Sequence, residues 1–142
     1  MTIFANQTEI AIIGLVLWAL TLLAALASYR SLQTLVVGKP ANSFAPTGLD
    51  LSLFGQRLTR AHANAYEFVP FALVVLVFAI ATQQSQITDA MALWLLGLRI
   101  GQSLVHLSST SNLAVIIRFV VFFIPQIAIV GWWCVELGSA QV

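Results

Sequence analysis

The stretch Arg57–Phe71, "RLTRAHANAYEFVPF", runs without a break into Ala72–Ala81, "ALVVLVFAIA". The second part has the composition of a helix in contact with lipid. The first part carries two arginines, a histidine, an asparagine and a glutamate. Ionisable groups inside a bilayer cost several kcal/mol and are held against protein or a wet cavity. This one segment therefore predicts both a membrane helix and a sheltered polar site at its start.

The rest of the chain agrees. Of its 142 residues, 60% are hydrophobic and 8% charged, with a mean hydropathy of +0.96; a soluble domain carries roughly 25% charged residues. No charge interrupts the runs from Glu9 to Arg30, Glu67 to Asp89 or Arg118 to Glu136. A helix needs about 20 apolar residues to span the bilayer, and these runs are continuous rather than alternating, unlike barrel strands. The reading is an all-α integral membrane protein, one four-transmembrane-helix bundle over residues 1–142. The spans predicted are Glu9–Tyr29, Ala61–Thr82, Thr88–Leu107 and Leu113–Glu136, with one long link, Arg30–Arg60. The opening "MTIFANQTE" lacks the basic region of a signal peptide, so the first span is expected to be retained. The lone Cys134 excludes an intrachain disulfide and any multi-cysteine metal site; packing is its expected role. No metal and no nucleic-acid partner is expected.

Arg30, Lys39, Arg57 and Arg60 flank or occupy the long link, whereas the tails and "QQSQ" have no basic residue. The positive-inside rule puts that link in the cytoplasm and both termini outside, with Trp132 and Trp133 at the outer interface. The cytoplasmic ends of helices 2, 3 and 4 then hold the intramembrane polar residues. Arg60, Asn64 and Glu67 follow i, i+4, i+7; Arg99, Gln102 and His106 follow i, i+3, i+7. Each set forms a stripe, and Arg118 stands about a turn and a half into helix 4. Three arginines against one glutamate predict a positive chamber suited to an anionic, carboxylate-bearing ligand, since arginine grips carboxylates with a planar fork. Glu67 is left for an arginine or a ligand ammonium. The bland alternatives are Glu–Arg pairs acting as structural glue and Arg57 snorkelling to headgroups. His62 and His106 are read more readily as interface residues than as catalysts. Gly97 and Gly101 are expected to mark close helix packing, and Pro70 and Pro125 to kink their helices.

The pattern R-x-x-R-A-H-x-N-x-x-E-x-x-P, carried by Arg57, Arg60, Ala61, His62, Asn64, Glu67 and Pro70, resembles the second helix of the MAPEG family, the membrane-associated proteins in eicosanoid and glutathione metabolism. The resemblance covers the whole chain and points to a bacterial-type microsomal glutathione transferase. It implies a homotrimer with glutathione as co-substrate in a cleft between subunits, on the cytoplasmic side of a bacterial inner membrane. Arg60, Asn64 and Glu67 fall on the family's glutathione contacts, and Arg118 on the arginine that stabilises the thiolate. Arg99 resembles a helix 3 arginine of the family, and Arg30 or Lys39 the basic group after helix 1. His106 and Gln102 stand where aromatic residues or histidine are common. Phe68 replaces the tyrosine of the leukotriene synthase type, and Phe119 leaves no hydroxyl after Arg118.

The resemblance thus implies a glutathione transferase or peroxidase of detoxification, acting on lipophilic electrophiles that arrive from membrane lipid. The alternative is a non-catalytic trimer, a scaffold, lipid-binding protein or regulator. A small exporter ranks last, because such subunits depend on an acid in helix 1 and here none lies between Glu9 and Arg30.

Overall fold

The computed structural model describes residues 6–140. It contains four helices that are long and apolar enough to cross a membrane: α1 Gln7–Val37, α2 Leu53–Ala81, α3 Ser85–Ser108 and α4 Asn112–Ser139. Among the described residues there is no strand. The reading of the N-terminal tail falls partly on residues 1–5, outside the described residues.

Side-chain caps set most of the starts. Asn6 accepts from the Glu9 amide at 3.0 Å, Ser52 from the Gly55 amide at 3.3 Å and Ser111 from the Ala114 amide at 3.2 Å. Each satisfies one of the donors that a helix N-terminus leaves free. α1 stops at Gly38, whose φ of 77° is left-handed, a conformation glycine adopts without steric cost.

These boundaries correct the predicted spans. α1 runs two turns past Tyr29, and α2 begins two turns before Ala61, so the link shrinks from Arg30–Arg60 to residues 38–52. Thirty-one helical residues measure about 46 Å at 1.5 Å each, more than the roughly 30 Å hydrocarbon core. The last turns of α1 therefore stand outside it.

Helices α1, α2 and α3 pack on one another, and α4 lies chiefly against α3. Small residues allow the close approach. Ala11, Ala72, Ala79 and Ala92 are all fully buried, interleaved with Leu15, Leu76 and Leu95. Apolar side chains gain little by leaving lipid, so membrane helices associate through tight packing and polar contacts.

One such contact set lies at the end bearing the α1 N-terminus. Asp89 Oδ1 accepts from the Thr8 amide at 2.9 Å and from Thr8 Oγ1 at 2.6 Å. Thr8 and Thr88 share a hydrogen at 2.7 Å, and Asn6 Nδ2 donates to Ser85 Oγ at 3.1 Å. Asp89 thus caps α1 from α3 and fixes the register of the two helices.

Three expectations change. Trp133 is fully buried in the core, and of that pair Trp132 alone is exposed. Cys134, expected to pack, is exposed. Gly101 does sit in close contact, where a Cβ would come within 2.6 Å of Phe122, but Gly97 faces open space in this chain. Pro125 follows a widened turn: α4 is π-helical over Arg118–Phe123, and the Ile124 amide reaches back five residues to Phe119. A π-helical turn puts an extra residue into the helix, which changes the face that Arg118 presents relative to the rest of α4. Pro70 lies inside α2 without ending it.

Candidate functional site in the link-side half of the bundle

Six polar side chains meet between α2, α3 and α4: Asn64, Arg99, Gln102, His106, Arg118 and Gln126. Arg99 is at the centre and has no exposed surface. It donates to the Asn64 carbonyl at 3.3 Å, to Asn64 Oδ1 and to Gln102 Oε1. Its guanidinium lies 4.9 Å from the Phe68 ring centroid, a cation–π distance. No carboxylate among the described residues is within ion-pair distance of it. Neutral amide oxygens and an aromatic face therefore hold this cation. Such an arrangement is tolerable in a dry interior only because several dipoles converge on it.

Gln102 connects Arg99 to α4. Its Oε1 also accepts from Gln126 Nε2 at 3.0 Å, and its Nε2 donates to the Arg118 carbonyl at 3.2 Å. The amide orientation is fixed by this pattern, with donors at the oxygen and an acceptor at the nitrogen. Gln126 also donates to the Phe122 carbonyl at 2.9 Å. The π-helical turn is thus anchored at its first carbonyl by α3 and near its end by Gln126. Gln126 went unread in the sequence, although it is the one side-chain amide between Arg118 and Glu136.

Arg118 leaves this turn half-buried, and its NH1 is 2.9 Å from His106 Nδ1. A guanidinium only donates, so His106 Nδ1 accepts. The side chain stands on the wall of a 260 Å³ pocket lined by Asn64, Gln102, Val115, Arg118, Phe119 and Phe123. The lining thus combines one cation and two amides with two aromatic rings and a valine.

The α2 stripe divides. Asn64 faces Arg99, whereas Arg60 and Glu67 are exposed. At about 100° per residue, positions four before and three after Asn64 are rotated roughly 40° and 60° in the same sense, which carries both out of the helix contact. Arg60 still lies near enough for its charge to act on His106 and Arg118. No basic side chain among the described residues reaches ion-pair distance of Glu67. The single chamber predicted from the stripes is therefore two layers: a buried Arg99 network, and an outward-facing set of Arg60, Glu67, His106 and Arg118. The expectation that Arg99 meets a ligand directly finds a side chain closed off in this chain.

Arg30 joins neither layer. It lines a separate 510 Å³ cavity under the link. Lys39, the other basic candidate after α1, pairs with Asp50 at 2.7 Å, and this hydrogen bond holds the Asp50 carboxyl below the usual carboxylate range.

Fold and site together define a four-helix membrane protein with a basic, amide-lined cleft in one half of its bundle. The chain belongs to the MAPEG family, whose family model matches residues 4–137. No individual curated protein and no solved structure matches the chain. Family membership supports a membrane glutathione-related transferase or a related function.

Proposed function

We propose that the protein is a membrane-embedded glutathione transferase or peroxidase, and that Arg118 stabilises the glutathione thiolate. The observation that carries this reading is Arg118 itself. It is a cation without an acid partner among the described residues, held by a neutral imidazole on the rim of a partly apolar pocket.

An ordinary thiol titrates near pH 8.5, and a cation within about 4–6 Å lowers that by roughly 1–3 units. The proton leaves to water, and the thiolate sulfur is then the nucleophile. In conjugation its lone pair forms the C–S bond to an electrophilic carbon, and the leaving group departs with the displaced pair. Phe119 and Phe123 offer the apolar wall against which a lipophilic substrate would settle. Arg60 and the free amide N–H groups of Asn64 are donors for the glutathione carboxylates, and Glu67 is an acceptor for its ammonium. Arg99 acts behind them by orienting Asn64 and Gln102. Glu67 and Arg60 are exposed and have no ion-pair partner among the described residues, which supports a homotrimer in which a neighbouring subunit closes the cleft. The basic residues flanking the link support a cytoplasmic site in a bacterial inner membrane.

The non-catalytic reading rests on the pocket lining, which contains no hydroxyl to assist the thiolate. One experiment separates the two. Glutathione should raise the unfolding temperature of the purified protein, and the complex should show thiolate absorbance near neutral pH. Stabilisation without thiolate would favour the scaffold. Absence of both effects would refute a glutathione site.

A further inference from the structure

The cavity under the link is chemically distinct from the cleft. Its walls come from the last turns of α1 (Arg30, Ser31, Thr34, Leu35) and from the link (Asn42, Phe44). Arg30 is poorly satisfied there. Its Nε is buried without a partner, its NH2 reaches only the Ala45 carbonyl at 3.5 Å, and its guanidinium lies 5.7 Å from the Phe44 centroid. Lys39 lies 5.2 Å from the same centroid, but Asp50 neutralises it. No acid lines the cavity. The side chains of Ser31, Thr34 and Asn42 have no hydrogen-bond partner among the described residues. One unneutralised cation and three free polar side chains therefore surround a space large enough for a phosphate group.

The level of this cavity in the membrane selects the kind of phosphate. Arg30 directly follows the uncharged run Ile10–Tyr29, long enough to cross the hydrocarbon core, so it stands at the headgroup layer. Leu35 on the cavity wall is largely exposed, as are Val36 and Val37, which follow it in α1; a free aqueous anion would not cover such apolar surface. Basic pockets at this level bind anionic lipid headgroups.

We propose that this cavity is a binding site for the phosphate of an anionic phospholipid. Arg30 pairs with the phosphate, Ser31, Thr34 and Asn42 donate to it, and the exposed apolar surface beside it takes the start of the acyl chains. The inference is independent of the glutathione reading. It gives Arg30 a ligand other than glutathione.

The test uses the whole protein in detergent micelles, titrated with phosphatidylglycerol and followed by native mass spectrometry. Arg30→Gln should lower phosphatidylglycerol retention about fivefold, the effect of one basic side chain at an anionic surface. Arg30→Lys should retain most of it. Lys39→Gln, which removes an already neutralised charge, should change it far less. Phosphatidylcholine should bind more weakly than phosphatidylglycerol, and equimolar inorganic phosphate should not displace the lipid. Unfolding temperatures of the variants, and their glutathione affinity, should match the parent. Equal lipid retention by Arg30→Gln and the parent would overturn the proposal. Displacement by inorganic phosphate would reassign the cavity to a soluble anion. Loss of glutathione affinity in Arg30→Gln with lipid retention intact would assign Arg30 to the cleft instead.

Discussion

His106 accepts a hydrogen bond at Nδ1 from Arg118 NH1 at 2.9 Å, so the imidazole is neutral and carries its proton on Nε2. A guanidinium on a long side chain has many rotamers, and this contact selects one of them. The partner comes from α3, whose position relative to α4 is set by Gln102 and Gln126.

The first prediction concerns that contact. His106→Leu removes the acceptor, and Arg118 should lose its fixed position, with kcat for conjugation falling about tenfold, equivalent to ~1.4 kcal/mol. KM for glutathione should change much less. His106→Asn offers an oxygen to the guanidinium and should recover part of kcat. A loss in KM alone would make His106 a ligand contact rather than a positioning residue.

Arg118→Ala should separate binding from activation. Arg60, Asn64 and Glu67 remain, so glutathione should still bind. The bound thiol should titrate about one unit or more higher, since a nearby cation is worth roughly 1–3 units. Thiolate absorbance against pH measures the shift. An unchanged titration together with an unchanged conjugation rate would make Arg118 structural.

Arg99 should behave oppositely. Arg99→Ala leaves Asn64 Oδ1 without its donor, takes one of two donors from Gln102 Oε1 and opens a cavity in a fully buried site. A buried acceptor left unsatisfied costs about 1–3 kcal/mol, and the cavity left by the side chain adds to that. The variant should unfold at markedly lower temperature with or without glutathione. A stable variant with a selective loss of glutathione affinity would place Arg99 against the ligand.

Glu67→Gln should weaken glutathione binding without lowering the unfolding temperature, because no basic side chain among the described residues pairs with this carboxylate. Dissociation of the oligomer in this variant would instead assign Glu67 to a contact between subunits. Mass measurement in detergent distinguishes the two outcomes.

The link should be sensitive to acid. Asp50 pairs with Lys39 at 2.7 Å and accepts from the Ala45 amide at 3.2 Å, and its carboxyl is held low in the folded state. A carboxylate with a lowered folded pKa contributes its stability above its unfolded value of about 3.9 and loses it as the pH falls through the folded value. Protection of the amides in residues 38–52, measured against their intrinsic exchange at each pH, should therefore fall as the pH drops below the ordinary carboxylate range, while the helices stay protected. Asp50→Asn should show the faster exchange already at neutral pH.

Much of this protein is written in one dimension. Uncharged apolar runs longer than the bilayer is thick determine four helices, whatever their neighbours. The spacing of Arg60, Asn64 and Glu67, and of Arg99, Gln102 and His106, placed the polar groups in one half of the bundle, because helical periodicity is local. The family pattern in α2 was legible for the same reason, and family membership followed from it. The helix ends were less so. The caps at Ser52 and Gly38 lie amid other residues that also favour turns, and α1 and α2 continue beyond the apolar runs into the link.

The third dimension decided which members of each stripe turn inward. Asn64 and Glu67 are three residues apart, yet one bonds a buried arginine and the other is exposed. The cause is a rotation of roughly 60° about the helix axis, which matters only once α3 is placed against α2. Arg99 and Arg118 carry the same charge in similar apolar surroundings, and neither charge nor spacing foretells which of them is buried. Packing encloses Arg99 among amides. The π-helical turn before Pro125, held by Gln102 and Gln126 from two helices, turns Arg118 to the pocket wall beside His106. That division of two arginines into a structural cation and an available one depends on contacts between helices, which no local pattern specifies.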